Sequence, residues 1–193
     1  METKTLKFYK LGHQFLNSSK VLLEKLVEND NRQVVISNFE ITEEYYNEQT
    51  KYSDFNIIIP ILFNYYHGLE LIIKAALEQV GKLEKDRHNI EDLIKKLKKE
   101  YKEDENFINC IIEKIDKPIQ IVTKFQTDNN TINGFSVYEA LRYPDNKSAD
   151  KLINYESLLY NGDIIIDDCR EIIQNIEKIK IATVRKYREL EEK

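Results

Sequence analysis

A chain of 193 residues with 41% hydrophobic and 33% charged residues is long enough to bury one core without disulfides, and too apolar to be disordered. Five glycines and three prolines leave too few turn residues for a sandwich, a barrel or a doubly wound α/β sheet, so the composition points to long helices. The net charge of −5, from 29 Lys and Arg against 34 Asp and Glu, argues against tight wrapping of a nucleic-acid duplex but leaves room for a local basic pocket.

In chain order, Leu6, Tyr9, Phe15, Leu16, Val21, Leu22, Leu23 and Leu26 recur at three- and four-residue intervals and predict an amphipathic helix over Thr5 to Val27, ended by Asn29-Asp30-Asn31. Val34-Val35-Ile36 is β-branched enough for a strand, but a lone strand has no partner, so Arg32 to Ser53 reads as an ordered connection with a short helix at Thr42 to Glu48. Asp54 or Asn56 can cap the next helix, which spans Ile57 to Val80, carries the most concentrated apolar content in the chain and takes Pro60 in its first turns or at a kink. Gly81 suits the position just beyond its end, and Lys82 to Arg87 forms a short charged connection.

Asn89 is a candidate cap for a helix over Ile90 to Tyr101, with Leu93, Ile94 and Leu97 inward and Lys95, Lys96, Lys98 and Lys99 in water. Asp104 opens a helix through Phe107, Ile108, Ile111, Ile112 and Ile115, which Pro118 breaks or bends near Asp116 on the way to Phe125. Gln126 to Asp150 collects Asn129, Asn130, Gly134, Pro144, Asp145 and Asn146. It reads as the longest irregular stretch, with a short helical or extended piece at Val137 to Leu141. After Asn161-Gly162-Asp163 a last helix runs to about Leu190 on a seam of Ile165, Cys169, Ile172, Ile176, Ile179 and Tyr187. Nothing divides the sequence, so residues 1–193 are expected to form a single domain.

Cys110 and Cys169 sit in apolar helical patterns without CxxC spacing or a nearby histidine, which favours buried thiols over a disulfide or a metal site. Met1-Glu2-Thr3-Lys4 opens no apolar leader, and no run approaches the ~20 apolar residues of a membrane span, so a cytoplasmic protein without a membrane partner is expected. Phosphate-loop, dinucleotide, zinc-protease and nucleophile-elbow motifs are absent from the sequence, and no cofactor or metal is expected.

On the helix Ile57 to Val80, Asn64, His67, Glu70, Lys74 and Glu78 fall within an arc of about 120° at ~100° per residue. One reading is a wet face, on which Glu70 and Lys74 form an ordinary surface pair. The other is a cleft: Leu71 projects into the same arc, and Tyr65, Tyr66, Leu69, Ile72 and Ile73 flank it, as expected of a central helix. More than half exposure of Glu70 and Lys74, far from Arg142, would favour the first. His13 on the first helix reads as a half-buried histidine, and the lysines of residues 95–99 as a solvated face.

The segment Pro60-Ile-Leu-Phe-Asn-Tyr-Tyr-His67-Gly-Leu-Glu70-Leu-Ile-Ile-Lys74-Ala-Ala-Leu77, followed by Gly81, by His88-Asn-Ile-Glu-Asp-Leu93 and by Leu141-Arg142-Tyr143-Pro144, resembles the HEPN family (higher eukaryotes and prokaryotes nucleotide-binding). The resemblance implies an all-α single-domain, up-and-down bundle of about five to six helices, a homodimer, and RNA, a nucleotide or a partner protein as ligand. Many members are metal-independent ribonucleases of toxin–antitoxin, phage-defence or RNA-processing systems that use an Arg-x4-6-His motif. That motif is missing: Arg142 is followed by Tyr, Pro, Asp, Asn, Lys, Ser and Ala, Arg87 directly by His88, and Arg32, Arg170, Arg185 and Arg188 have no histidine in range.

The expected function is therefore a non-catalytic or atypical binding or regulatory module of a microbial stress or defence system, its ligand held by His67, Glu70, Lys74, His88, Arg142 and Tyr143. The alternative is a ribonuclease with a displaced site, in which Arg142 stabilises the phosphate and His67 or His88 moves the proton. Both histidines also have plain structural readings, and Arg142 could instead tie the long loop to helix-end carbonyls above a packed Tyr143.

Overall fold

Scarce glycine and proline and three- to four-residue apolar spacing give helices throughout a computed structural model that describes residues 3–84, 90–130, 136–143 and 152–191. In chain order these are α1 Lys4–Glu28, α2 Glu43–Thr50, α3 Asp54–Gln79, α4 Ile90–Glu100, α5 Glu105–Asp116, α6 Gln120–Asp128, α7 Val137–Arg142, a 3-10 turn at Glu156–Leu158, and α8 Ile164–Glu191. The class is all-α. Among the described residues the eight α-helices exceed the five or six expected because Pro118 splits α5 from α6 outright and because α2 and α7, although short, are regular.

Helix ends follow local chemistry. Asp30 and Asn31 take left-handed φ of 53° and 45° beyond α1, with Asn31 N–H on the Leu26 carbonyl at 3.0 Å. Gly81, at φ 68°, closes α3 the same way, and Lys82 N–H bonds the Leu77 carbonyl at 2.8 Å. Asp104 accepts from Phe107 N–H at 3.1 Å at the start of α5. Ile119 has no side chain to cap α6. That task falls to Asp168 of α8, whose buried carboxylate accepts from Gln120 N–H at 3.1 Å and Ile121 N–H at 2.9 Å.

The contacts group into two units. The first comprises residues 1–18, 64–117 and 174–193, and the second 19–63 and 118–173. In the first, α1 and α3 cross at paired glycines: a Cβ on Gly68 would lie 2.8 Å from Leu16 Cγ and 3.1 Å from the Gly12 carbonyl oxygen. Tyr65 donates to Asn175 Oδ1 at 2.5 Å, Tyr101 donates to the Ala76 carbonyl at 2.9 Å, and Lys186 pairs with Asp104 at 2.8 Å. Asp104 is pushed up by burial, but its hydrogen bonds from Lys186 and Phe107 and the charges of Lys186 and Arg185 outweigh this and hold it below the usual carboxylate value.

In the second unit, buried Asp54 gathers three stretches of chain. Its N–H donates to Asn31 Oδ1 at 2.7 Å, its Oδ1 accepts from Gln33 Nε2 at 2.8 Å, and its Oδ2 accepts from Asn161 N–H at 2.8 Å. Asn56 does not cap α3; its amide reaches the Thr50 carbonyl at 2.9 Å.

Several inward assignments hold. Ile165, Cys169, Ile172, Ile176 and Ile179 of α8 are buried, as are Leu93, Ile94 and Leu97 of α4. Burial, with the nearby Asp168 and Asp54 charges, pushes the Cys169 thiol up to about 12. Others change: Val21 faces solvent, Tyr187 is half-buried, and Lys96 is half-buried in an ion pair with Glu84 rather than in open water. Residues 34–36 form no strand, and Val34 and Ile36 stand 68% and 96% exposed. Among the described residues of 126–150, α6 runs on to Asp128, and α7 falls on the short helical or extended piece expected at Val137 to Leu141. The expected cap Asn89, residues 85–87 of the charged connection, and Gly134, Pro144, Asp145 and Asn146 lie outside the described residues.

α3 is the described helix whose length and apolar content would permit a membrane crossing, and 61% of its most apolar window is buried within the structure.

Candidate functional site

His67, Glu70 and Lys74 lie three and four residues apart and so share one face of α3. The Glu70 carboxylate sits between the other two: Lys74 Nζ donates to Oε1 at 2.6 Å, and His67 Nδ1 lies 3.2 Å from Oε2. The side chains are 2% exposed for Glu70, 11% for Lys74 and 26% for His67. A wet stripe would leave the carboxylate and the ammonium in water, so that reading is excluded. The burial follows from the helix's surroundings. Leu69, Leu71, Ile72 and Ile73 are all buried, so Glu70 and Lys74 lie among packed apolar side chains, where the carboxylate is paired with the ammonium.

Other residues of the first unit frame this network. Phe15 of α1 meets the His67 ring edge-on, with centroids 4.5 Å apart and planes at 86°. Toward the end of α3, Glu78 pairs with Lys4 at 3.0 Å and Gln79 accepts from the Tyr9 hydroxyl at 3.0 Å. Asn64 Nδ2 lies 3.4 Å from Ser18 Oγ. Phe15 was not legible as part of the site, because its spacing marked it only as one more apolar residue of α1.

His88 lies outside the described residues. Arg142 and Tyr143 belong to the second unit, at the end of α7. The Arg142 guanidinium stands 5.4 Å from the Tyr138 ring centroid and 5.5 Å from that of Tyr143, a cation against two aromatic rings. Tyr143 is not packed beneath it but 50% exposed. At the end of α7 the Tyr155 hydroxyl donates to the Ala140 carbonyl and lies 3.2 Å from the Tyr143 carbonyl oxygen. Tyr155 also stacks on Phe125 at 5.7 Å. No sequence signal singled it out among twelve tyrosines.

His13 is half-buried, with Nε2 2.8 Å from Thr183 Oγ1. Among the described residues, no three His, Cys, Asp or Glu side chains are grouped as metal ligands.

An apolar central helix carrying a buried His-x-x-Glu network, in a chain of helices alone among the described residues, defines a helical domain of a particular kind. The model of the HEPN domain matches residues 39–187, well over half of the chain, and the chain belongs to the HEPN domain family. No curated protein and no solved structure matches it.

Proposed function

We propose that this chain is a binding or regulatory HEPN module, acting as one domain over residues 1–193, with RNA or a nucleotide as its ligand, and not a ribonuclease of the Arg-x4-6-His type. The observation that carries this reading is the buried His67–Glu70–Lys74 network. In the ribonuclease alternative His67 or His88 moves the proton, and a general acid or base must reach its substrate at hydrogen-bond distance, whereas His67 is 26% exposed with Nδ1 3.2 Å from the buried Glu70 carboxylate, which also holds Lys74. Such a network organises the helix that bears it. Ligand contact falls to exposed groups, for which Arg142 and Tyr143 are suited: a guanidinium beside a half-open aromatic ring offers charge to a phosphate and a face to a base. His88 keeps its place as a candidate from the family resemblance.

The same resemblance supports a homodimer in the cytoplasm of a microbial stress or phage-defence system. Fluorescence anisotropy with a labelled single-stranded 20-mer RNA in EDTA, followed by electrophoresis of the same RNA, tests the reading. Saturable binding without cleavage, weakened at least tenfold in Arg142→Ala and in Tyr143→Ala at unchanged unfolding midpoint, is the expected result. Metal-free cleavage lost in both Arg142→Ala and His88→Ala would replace it with the ribonuclease reading, and binding indifferent to both position-142 and position-143 variants would remove those residues from the site.

A further inference from the structure

In the first unit, the N-terminal turns of α1 and the last turns of α8 enclose an open groove of about 550 Å³, within the range of small-molecule sites. Leu6, Tyr9, Val184 and Tyr187 make its apolar surface, with the two tyrosine rings edge-on at 6.0 Å. Its charged groups are Lys10 and Arg188. None of the described lining residues is acidic, in a chain where acidic side chains outnumber basic ones by 34 to 29. Arg188 makes no ion pair with any described residue, whereas its neighbours Arg185 and Lys186 both reach Glu189. An apolar surface with the exposed Arg188 guanidinium at its edge favours negative charge on an apolar body.

His13 adds a defined polar atom to the wall. The Thr183 hydroxyl has one hydrogen and lies 2.8 Å from the Ile179 carbonyl, so toward His13 its oxygen accepts, and the imidazole proton sits on Nε2. Burial, reinforced by Lys180, lowers the His13 pKa, so at neutral pH the ring carries one proton and Nδ1 is an acceptor. The match to the HEPN domain begins at residue 39, so the α1 wall of the groove lies outside it.

We propose that this α1–α8 groove is a binding site for a small organic anion with an aromatic body, the charge set against Arg188 and the ring against Tyr9, Val184 and Tyr187. This site is separate from the RNA or nucleotide contact proposed for Arg142.

Titration of the full chain with 8-anilinonaphthalene-1-sulfonate, an aromatic monoanion, and with N-phenyl-1-naphthylamine, its uncharged counterpart, tests the proposal by fluorescence. One saturable sulfonate site per chain is expected, with at least fivefold weaker binding in Arg188→Gln and no more than twofold change for the neutral probe. Val184→Trp, at a 45% exposed position, is expected to fill the groove and abolish sulfonate binding. Sulfonate binding that survives Val184→Trp, that ignores Arg188→Gln, or that never saturates overturns the assignment. Because Arg188 is exposed, its variant decides the matter even if the tryptophan perturbs α8.

Discussion

Replacing Gly68 by alanine tests how tightly the α1–α3 crossing is built and whether it governs the polar network that begins at the adjacent His67. The added Cβ would meet Leu16 Cγ at 2.8 Å and Cδ2 at 2.9 Å, well inside the ~3.5 Å at which carbon contacts become favourable. Leu16 has no exposed surface, and the Gly12 carbonyl oxygen at 3.1 Å closes the other side, so relief requires the helices to separate or Leu16 to leave its rotamer. Overpacking of this kind costs ~1–3 kcal/mol, against which alanine returns up to ~1 kcal/mol of helix propensity. The net expectation is a destabilisation of about 1 kcal/mol, a fall of ~2–4 °C in melting temperature for a chain of this size.

Gly12→Ala should cost less, because the nearest atom there is the mobile end of Ile72, at 2.9 Å. Urea unfolding of both single variants and the double variant measures these values and their coupling, which should exceed ~0.5 kcal/mol because each Cβ intrudes on the same crossing. Parting the helices also draws Phe15 from the His67 ring it meets at 4.5 Å, so the imidazole proton resonances should shift in Gly68→Ala. Unchanged or raised stability, with unshifted His67 resonances, would refute the close-crossing argument.

Glu70→Gln removes the carboxylate 2.6 Å from the largely buried Lys74 ammonium and should cost up to ~3–5 kcal/mol in urea unfolding. Lys74→Met should be much less harmful in that background than alone, and additive effects would deny the coupling. Asp168→Asn leaves only one acceptor for the two N–H groups that begin α6 and should lose about 1–3 kcal/mol, and an unchanged unfolding midpoint would exclude the cap.

His13 binds a proton less readily folded than unfolded, so the unfolded chain gains protons first as pH falls. Its contribution is full above about pH 6.5 and declines from there toward the lowered folded value. His13→Gln should flatten that part of the stability profile, and an unaltered slope would count against the assignment. Cys169, buried and with its thiol pushed up to about 12, should resist a thiol reagent at pH 8 until the protein unfolds, and rapid native labelling at that position would contradict its burial.

The helical class was readable because periodicity and end residues are local signals. The α8 seam from Ile165 to Ile179, the left-handed Asn31 and Gly81, and the break at Pro118 each depend on a few neighbouring positions. Polarity along α3 was ambiguous in principle: His67, Glu70 and Lys74 trace the same stripe whether it meets water or protein, and only tertiary packing shows the carboxylate to be buried. The cap on α6 was invisible, since Asp168 acts on N–H groups 47 and 48 residues earlier, and no pattern within α6 calls for it. Arg142 was singled out by motif, but its ring partners and the contacts of Tyr155 follow from packing around α7.

The joint at Asp54 bears on how the polypeptide leaves the ribosome. One of its bonds waits for Asn161, 107 positions later, and both structural units draw on segments beyond residue 160. Residues beyond 160 must therefore be synthesised before either can close, and until then α1 and α3 lack the partners that lie later in the chain. Interleaved ownership of the sequence also means that neither unit can be excised as a continuous fragment. Loss of α8 through a premature stop would disable both together.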